Sequence, residues 1–103
     1  MIIGIGTRRI TPTKTQTVVG IYDCYSIKDS LKSLGYRWIA MDKCWEKVTA
    51  DPIEEITRFF EAGLGTIEDY EKLYTTGVLQ AETYDFSDEQ FDRIGAVLAP
   101  EEA

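Results

Sequence analysis

Leu34-Gly35-Tyr36-Arg37-Trp38-Ile39-Ala40-Met41-Asp42-Lys43-Cys44-Trp45 is the stretch that decides the fold. It reads as a helix end, a strand, a tight turn and a return strand. Gly35 is well placed just past the helix, where a left-handed backbone costs glycine nothing. Tyr36, Trp38 and Ala40 then alternate with Arg37 and Ile39, as a strand requires. Met41-Asp42-Lys43 makes the turn. Beyond it, Trp45 and Lys47 share one face, and Cys44, Glu46 and Val48 the other. Both tryptophans of the chain lie on this hairpin, across from each other or on a diagonal.

Upstream, Ser26 has the chemistry of an N-cap, with Asp29 as its partner three residues on. Ile27, Leu31 and Leu34 follow at helical spacing, with Lys28 and Lys32 on another face. Thr17 to Tyr22 is β-branched and aromatic, which predicts a strand. Residues 7–17 are threonine-rich around Pro12 and read as an extended arm or loop. Gly4-Ile5-Gly6 lacks the third glycine and the helix of a dinucleotide fingerprint, so it reads as a first strand or loop.

Downstream, Asp51-Pro52 starts a helix with an acidic cap, proline at the first helical position and Glu54 three residues on. Ile53, Ile56, Phe59 and Phe60 form its apolar stripe, and Gly63 and Gly65 stop it. Thr66 caps a second helix whose buried face is Ile67, Tyr70, Leu73 and Tyr74, ending at Gly77. Val78 to Tyr84 is strand-like. Ser87 caps a last helix, with Gln90 completing a capping box and Phe86 and Phe91 forming a hydrophobic staple. Phe91, Ile94, Val97 and Leu98 are its apolar face, and Pro100 ends it. The order strand, helix, strand, strand, helix, helix, strand, helix (β-α-β-β-α-α-β-α) predicts α+β: a small, mainly antiparallel sheet with helices on one face. The expected division is a flexible arm or edge strand over 1–16, one domain over 17–99 and a frayed tail over 100–103.

The 103 residues suffice for one domain, and 44% hydrophobic content fits a folded chain. No apolar run reaches the length of a membrane helix, and the N-terminus lacks a signal-peptide pattern. The expected setting is the cytoplasm, without membrane association. Cys24 and Cys44 stand twenty positions apart with no paired motif. Packing in the core or a strand is the first reading, with a disulfide or a reactive thiol as alternatives. The chain has no histidine, so imidazole acid–base chemistry, the common zinc sites and histidine-activated nucleophiles are absent. No calcium-loop spacing appears, and so short a chain offers little room for the cleft of a carboxylate-pair hydrolase. A non-enzymatic protein without cofactor or metal is expected.

Residues 22–62 resemble a small domain family seen in phage and mobile-element proteins, and are similar to the HARP-type module of DNA-annealing enzymes. The matching residues are Lys28, Leu31, Leu34, Gly35, Arg37, Trp38, Lys43 and Trp45. Ile39 stands where the family often has an acidic residue, and Glu46 where it often has an aromatic. The resemblance implies the fold of the first half and a setting near nucleic acid; it carries over no activity.

Charge is segregated along the chain. Residues 1–47 hold eight basic and four acidic residues; residues 48–103 hold three and fourteen. Arg8, Arg9, Lys14, Arg37, Lys43 and Lys47 are therefore the candidate nucleic-acid contacts, since cations beside aromatics supply phosphate neutralisation and base stacking. The alternative working surface is acidic: Glu54, Glu55, Glu68, Asp69, Glu71, Asp88 and Glu89. A carboxylate array of this kind imitates a phosphate backbone, as in acidic anti-CRISPR-like phage inhibitors of host defence proteins that bind nucleic acid. Helix-dipole complementarity and solubility also account for these acids. The expected partner is thus nucleic acid or a nucleic-acid-binding host protein. A structural or oligomerising accessory domain is the third reading, and the oligomeric state is open.

Overall fold

The chain opens as a long hairpin: β1 (Ile2–Thr11) and β2 (Lys14–Tyr22) pair antiparallel from Ile2↔Tyr22 to Thr11↔Lys14. The computed structural model describes residues 1–75, 79 and 84–98, with Tyr74 and Thr75 described by backbone only. A 3₁₀ turn (Tyr25–Ile27) leads into α1 (Lys28–Ser33), followed by β3 (Arg37–Ile39) and β4 (Cys44–Val48). Next come α2 (Pro52–Glu61), α3 (Ile67–Glu71), a short β5 (Tyr74–Thr75) and α4 (Asp88–Leu98). The sheet order is β3-β4-β2-β1-β5, antiparallel except for β5, which runs parallel to β1 at Gly4↔Tyr74 and Ile5↔Thr75. The α+β architecture expected from the sequence is the one observed.

One face of the sheet carries the core. Ile3 and Ile5 of β1, Val19 and Ile21 of β2 and Trp45 of β4 pack against Leu31 of α1 and Ile53, Ile56, Phe59 and Phe60 of α2. Burying a side chain of this size stabilises by about 1.5–3 kcal/mol. Cys24, Tyr36, Leu79 and Ile94 of α4 complete the cluster. Lys47 lies on this face too. Its Nζ ties α1 to α2, donating to the Leu34 carbonyl at 2.8 Å and pairing with Glu55 at 2.9 Å.

The decisive hairpin forms as the sequence predicts. Gly35 has φ +95°, its N–H donates to the Lys32 carbonyl, and the Tyr36 N–H donates to the Leu31 carbonyl. This is a Schellman closure, with Leu31 and Tyr36 both buried beside it. Trp38 then stands directly opposite Trp45, with ring centroids 5.7 Å apart and planes tilted 56°. The caps at Asp51, Thr66 and Ser87 form: Asp51 accepts from the Glu54 N–H, and Thr66 and Ser87 make reciprocal boxes with Asp69 and Gln90. The Phe86–Phe91 staple closes at 5.7 Å.

Several expectations differ from the structure. The stretch 1–16 is no flexible arm: Ile3 and Ile5 are core residues of a strand that lies inside the sheet where β5 joins it. Among the described residues, β2 alone pairs with β1 beyond Ile5, so the other side of its outer half keeps an edge character. Ser26 caps nothing; it lies within the 3₁₀ turn, and α1 starts after Ile27 without a side-chain cap. The third helix stops at Glu71 because aromatic and β-branched Tyr74-Thr75 pairs with β1 instead. On α4, Ile94 is buried, whereas Phe91 and Val97 are exposed. The strand expected over Val78–Tyr84 and the tail over 100–103 fall outside the described residues, apart from Leu79 and Tyr84.

Candidate nucleic-acid interface

Where the end of β2 meets the 3₁₀ turn and the β3–β4 hairpin, the structure leaves a groove of about 360 Å³. Asp23, Cys24, Tyr25, Lys28, Trp38, Lys43 and Trp45 line it. The two tryptophans that looked equivalent in the sequence divide the work. Trp45 is 8% exposed and belongs to the core; Trp38, on edge strand β3, is 52% exposed. Tyr25 stands out at 85%. Lys28 Nζ sits 5.2 Å from the Tyr25 ring centroid and Lys32 Nζ 5.8 Å from that of Trp45, both at cation–π distance.

The backbone at this rim is strained. Among the described residues, two non-glycine positions have φ in the left-handed region, Asp23 at +53° and Lys43 at +52°, and both line the groove. Aspartate tolerates this conformation; lysine holds it at a cost of roughly 1–2 kcal/mol. Strain of this kind persists where surrounding structure over-determines it, and it concentrates at binding sites.

Of the six basic residues picked out in the sequence, only Lys43 lines the groove. Arg8 is spent on the opposite face of the sheet. Its guanidinium binds both carboxylate oxygens of buried Glu46 and reaches Asp42 at 2.5 Å, which raises its own pKa. Arg8 lies four residues beyond Gly4, about 13 Å along the strand. Its side chain and that of Glu46 close this gap across a face paved by Gly4, Gly6 and Gly20. Lys47 is spent on the Leu34 carbonyl and Glu55, half-buried between α1 and α2. Arg37 is exposed, on the face opposite Trp38. Arg9 and Lys14 are exposed near the far end of the β1–β2 hairpin. Sequence reasoning placed Lys28 and Lys32 on a second face of the helix, counted Lys28 only within the family resemblance, and gave Tyr25 no role. Their signal was the i,i+4 lysine pair next to an aromatic at a helix start.

The acidic candidates are partly consumed by the fold. Glu54 accepts from Arg93 at 2.9 and 3.0 Å and from Gln90 at 3.2 Å; the Arg93 bonds outweigh desolvation and hold its carboxyl at about 2. Arg93 also clasps Glu61, whose pKa it lowers. Glu55 pairs with Lys47 and Arg58, and Asp69 closes the Thr66 box. Glu68, Glu71, Asp88 and Glu89 are exposed.

Both cysteines are free and buried, and burial pushes both thiols up, away from the reactive thiolate. Asp42, Cys44 and Glu46 bring ligand-type atoms within 4.8 Å of one another, with the Arg8 guanidinium already on both carboxylates.

No known protein family, curated protein or solved structure matches this chain. The resemblance of residues 22–62 therefore stands on its motif residues alone. Of these, Lys28, Trp38, Lys43 and Trp45 line the groove, while Leu31 is core and Gly35 closes α1.

Proposed function

We propose that this is a small, non-enzymatic binding protein that associates with nucleic acid, alone or in a nucleoprotein, through its hairpin half. The observation that carries the reading is the groove: half-exposed Trp38 and exposed Tyr25 beside Lys28 and Lys43, on a strained rim. Exposed aromatic faces and ammonium groups side by side are the two ingredients of nucleic-acid binding, stacking and phosphate neutralisation. The reading places the protein in the cytoplasm. The phage or mobile-element setting rests on the family resemblance.

Charge reversal tests it. Lys28→Glu with Lys43→Glu should weaken binding of a labelled oligonucleotide at low salt by at least about tenfold, two phosphate contacts becoming repulsive. Unchanged affinity would sink the proposal. A second reading, inhibition of a host nucleic-acid-binding protein, draws on exposed Glu68 and Glu71 of α3 and Asp88 and Glu89 of α4. Replacing these four by glutamine or asparagine and assaying capture of a basic partner addresses it; intact capture counts against that surface.

A further inference from the structure

We infer that the groove binds one unpaired nucleotide of a single strand, its base against Trp38 and its phosphate between Lys28 and Lys43. This rests on the nucleic-acid reading and narrows it. A cavity of about 360 Å³ is at the small end of ligand sites, room for one base with its sugar and phosphate and far too small for a duplex. Three aromatic rings line it, those of Tyr25, Trp38 and Trp45. An aromatic ring recognises the flat face of a base, and within a duplex that face is covered by neighbouring pairs. Trp38 rests on Trp45 at a tilt of 56°, which fixes the indole while leaving half of it exposed. It stands on β3, the last strand of the sheet, so a chain can enter and leave along the open edge.

The charges favour the same occupant. Lys28 comes from the start of α1 and Lys43 from the β3–β4 turn, so two ammonium groups reach the groove from separate elements. Asp23 lines the groove as well. Its carboxylate opposes a bare polyanion, so charge alone is a poor ligand here and stacking must supply the remainder. A base edge bearing N–H donors turns the same carboxylate into an acceptor.

Both tryptophans line the groove, so intrinsic emission reports its occupancy directly. The emission is titrated at low salt with a short mixed-sequence single-stranded DNA, the matching blunt duplex, adenosine monophosphate and heparin. The expected result is quenching by the single strand, with affinity at least tenfold above that for the duplex or the mononucleotide, and no quenching by heparin. By anisotropy of a labelled strand, Trp38→Ala should lose roughly 5- to 150-fold, as expected for one stacked base, with Trp38→Phe retaining most affinity. Tyr25→Ala, at a position 85% exposed, should also weaken binding and serves if Trp38→Ala is poorly folded by circular dichroism. Equal affinity for strand and duplex, with Trp38→Ala and Tyr25→Ala both neutral, overturns the unpaired-nucleotide inference but leaves nucleic-acid association standing. A mononucleotide bound as tightly as the strand overturns the commitment to a single strand. Absence of binding to either DNA overturns the inference and the broader reading together.

Discussion

Two residues of the β3–β4 turn sit back to back with opposite duties. Lys43 faces the groove in a left-handed conformation. Replacing it with glycine removes the Cβ penalty and adds unfolded-state entropy, for a net gain of up to about 1 kcal/mol. The expectation is a higher urea midpoint together with weaker oligonucleotide binding. A midpoint that falls would show that the turn is not strained at this position. Asp42 faces the other side, where Arg8 holds it together with Glu46. Arg8 thus anchors the turn that presents Lys43. Removing it leaves a carboxylate on Glu46, which is 8% exposed, without its cation. Arg8→Ala should cost about 1–3 kcal/mol, the discount reflecting Arg8's own partial exposure. Arg8 reads as ligand-facing in the sequence because a basic residue in a threonine-rich arm looks free. Its partners lie more than thirty residues away, and only the register of β1, β2 and β4 brings them together.

At the scale of elements, α4 is held to α2 by Arg93 bridging Glu54 and Glu61. The sign of the pH effect follows from Glu54. Its carboxyl is depressed from 4.5 to about 2, so the unfolded chain takes up this proton first. The stabilisation is complete above the unfolded value and is lost as pH falls from about 4.5 towards about 2. Thermal unfolding of wild type and Arg93→Ala should differ by several degrees at neutral pH and converge at the acid end of this window. A gap that stays constant down to pH 2 would mean that Arg93 stabilises through packing rather than through the charge of Glu54. Elements like this show which parts were readable in advance. The caps at Asp51, Thr66 and Ser87, the Gly35 closure and the pairing of the two tryptophan strands are local, and local chemistry specified them. Membership of the groove is a tertiary property: Asp23, Tyr25 and Lys28 reach Trp38 and Lys43 only because the 3₁₀ turn and α1 dock on the hairpin. The face of α4 was misjudged for the same reason, since the Arg93 clasp presents Ile94 to the core and leaves Phe91 half exposed.

For the whole molecule, the question is whether a chain of formal charge −7 can hold a polyanion at all. The fold answers through distance. Trp38 stands on one edge strand of the sheet, whereas α3, with Glu68 and Glu71, packs towards β1 and the β5 edge. Those edges are four strand spacings apart, roughly 19 Å. At physiological salt the Debye length is about 8 Å, so the acidic edge is screened from the groove, where Lys28 and Lys43 outnumber Asp23. At 0.01 M salt the length is about 30 Å, and the acidic half then repels the approaching strand. Two phosphate contacts on a single strand, through Lys28 and Lys43, give a slope of about −1.4 in log affinity against log salt. The measured slope should approach that value above about 0.1 M and flatten towards 0.01 M as long-range repulsion grows. Glu68→Gln with Glu71→Gln should steepen the low-salt limb and leave the high-salt limb unchanged. If the double variant shifts both limbs equally, the acidic edge acts at short range, and the two halves of the chain do not work as separate surfaces.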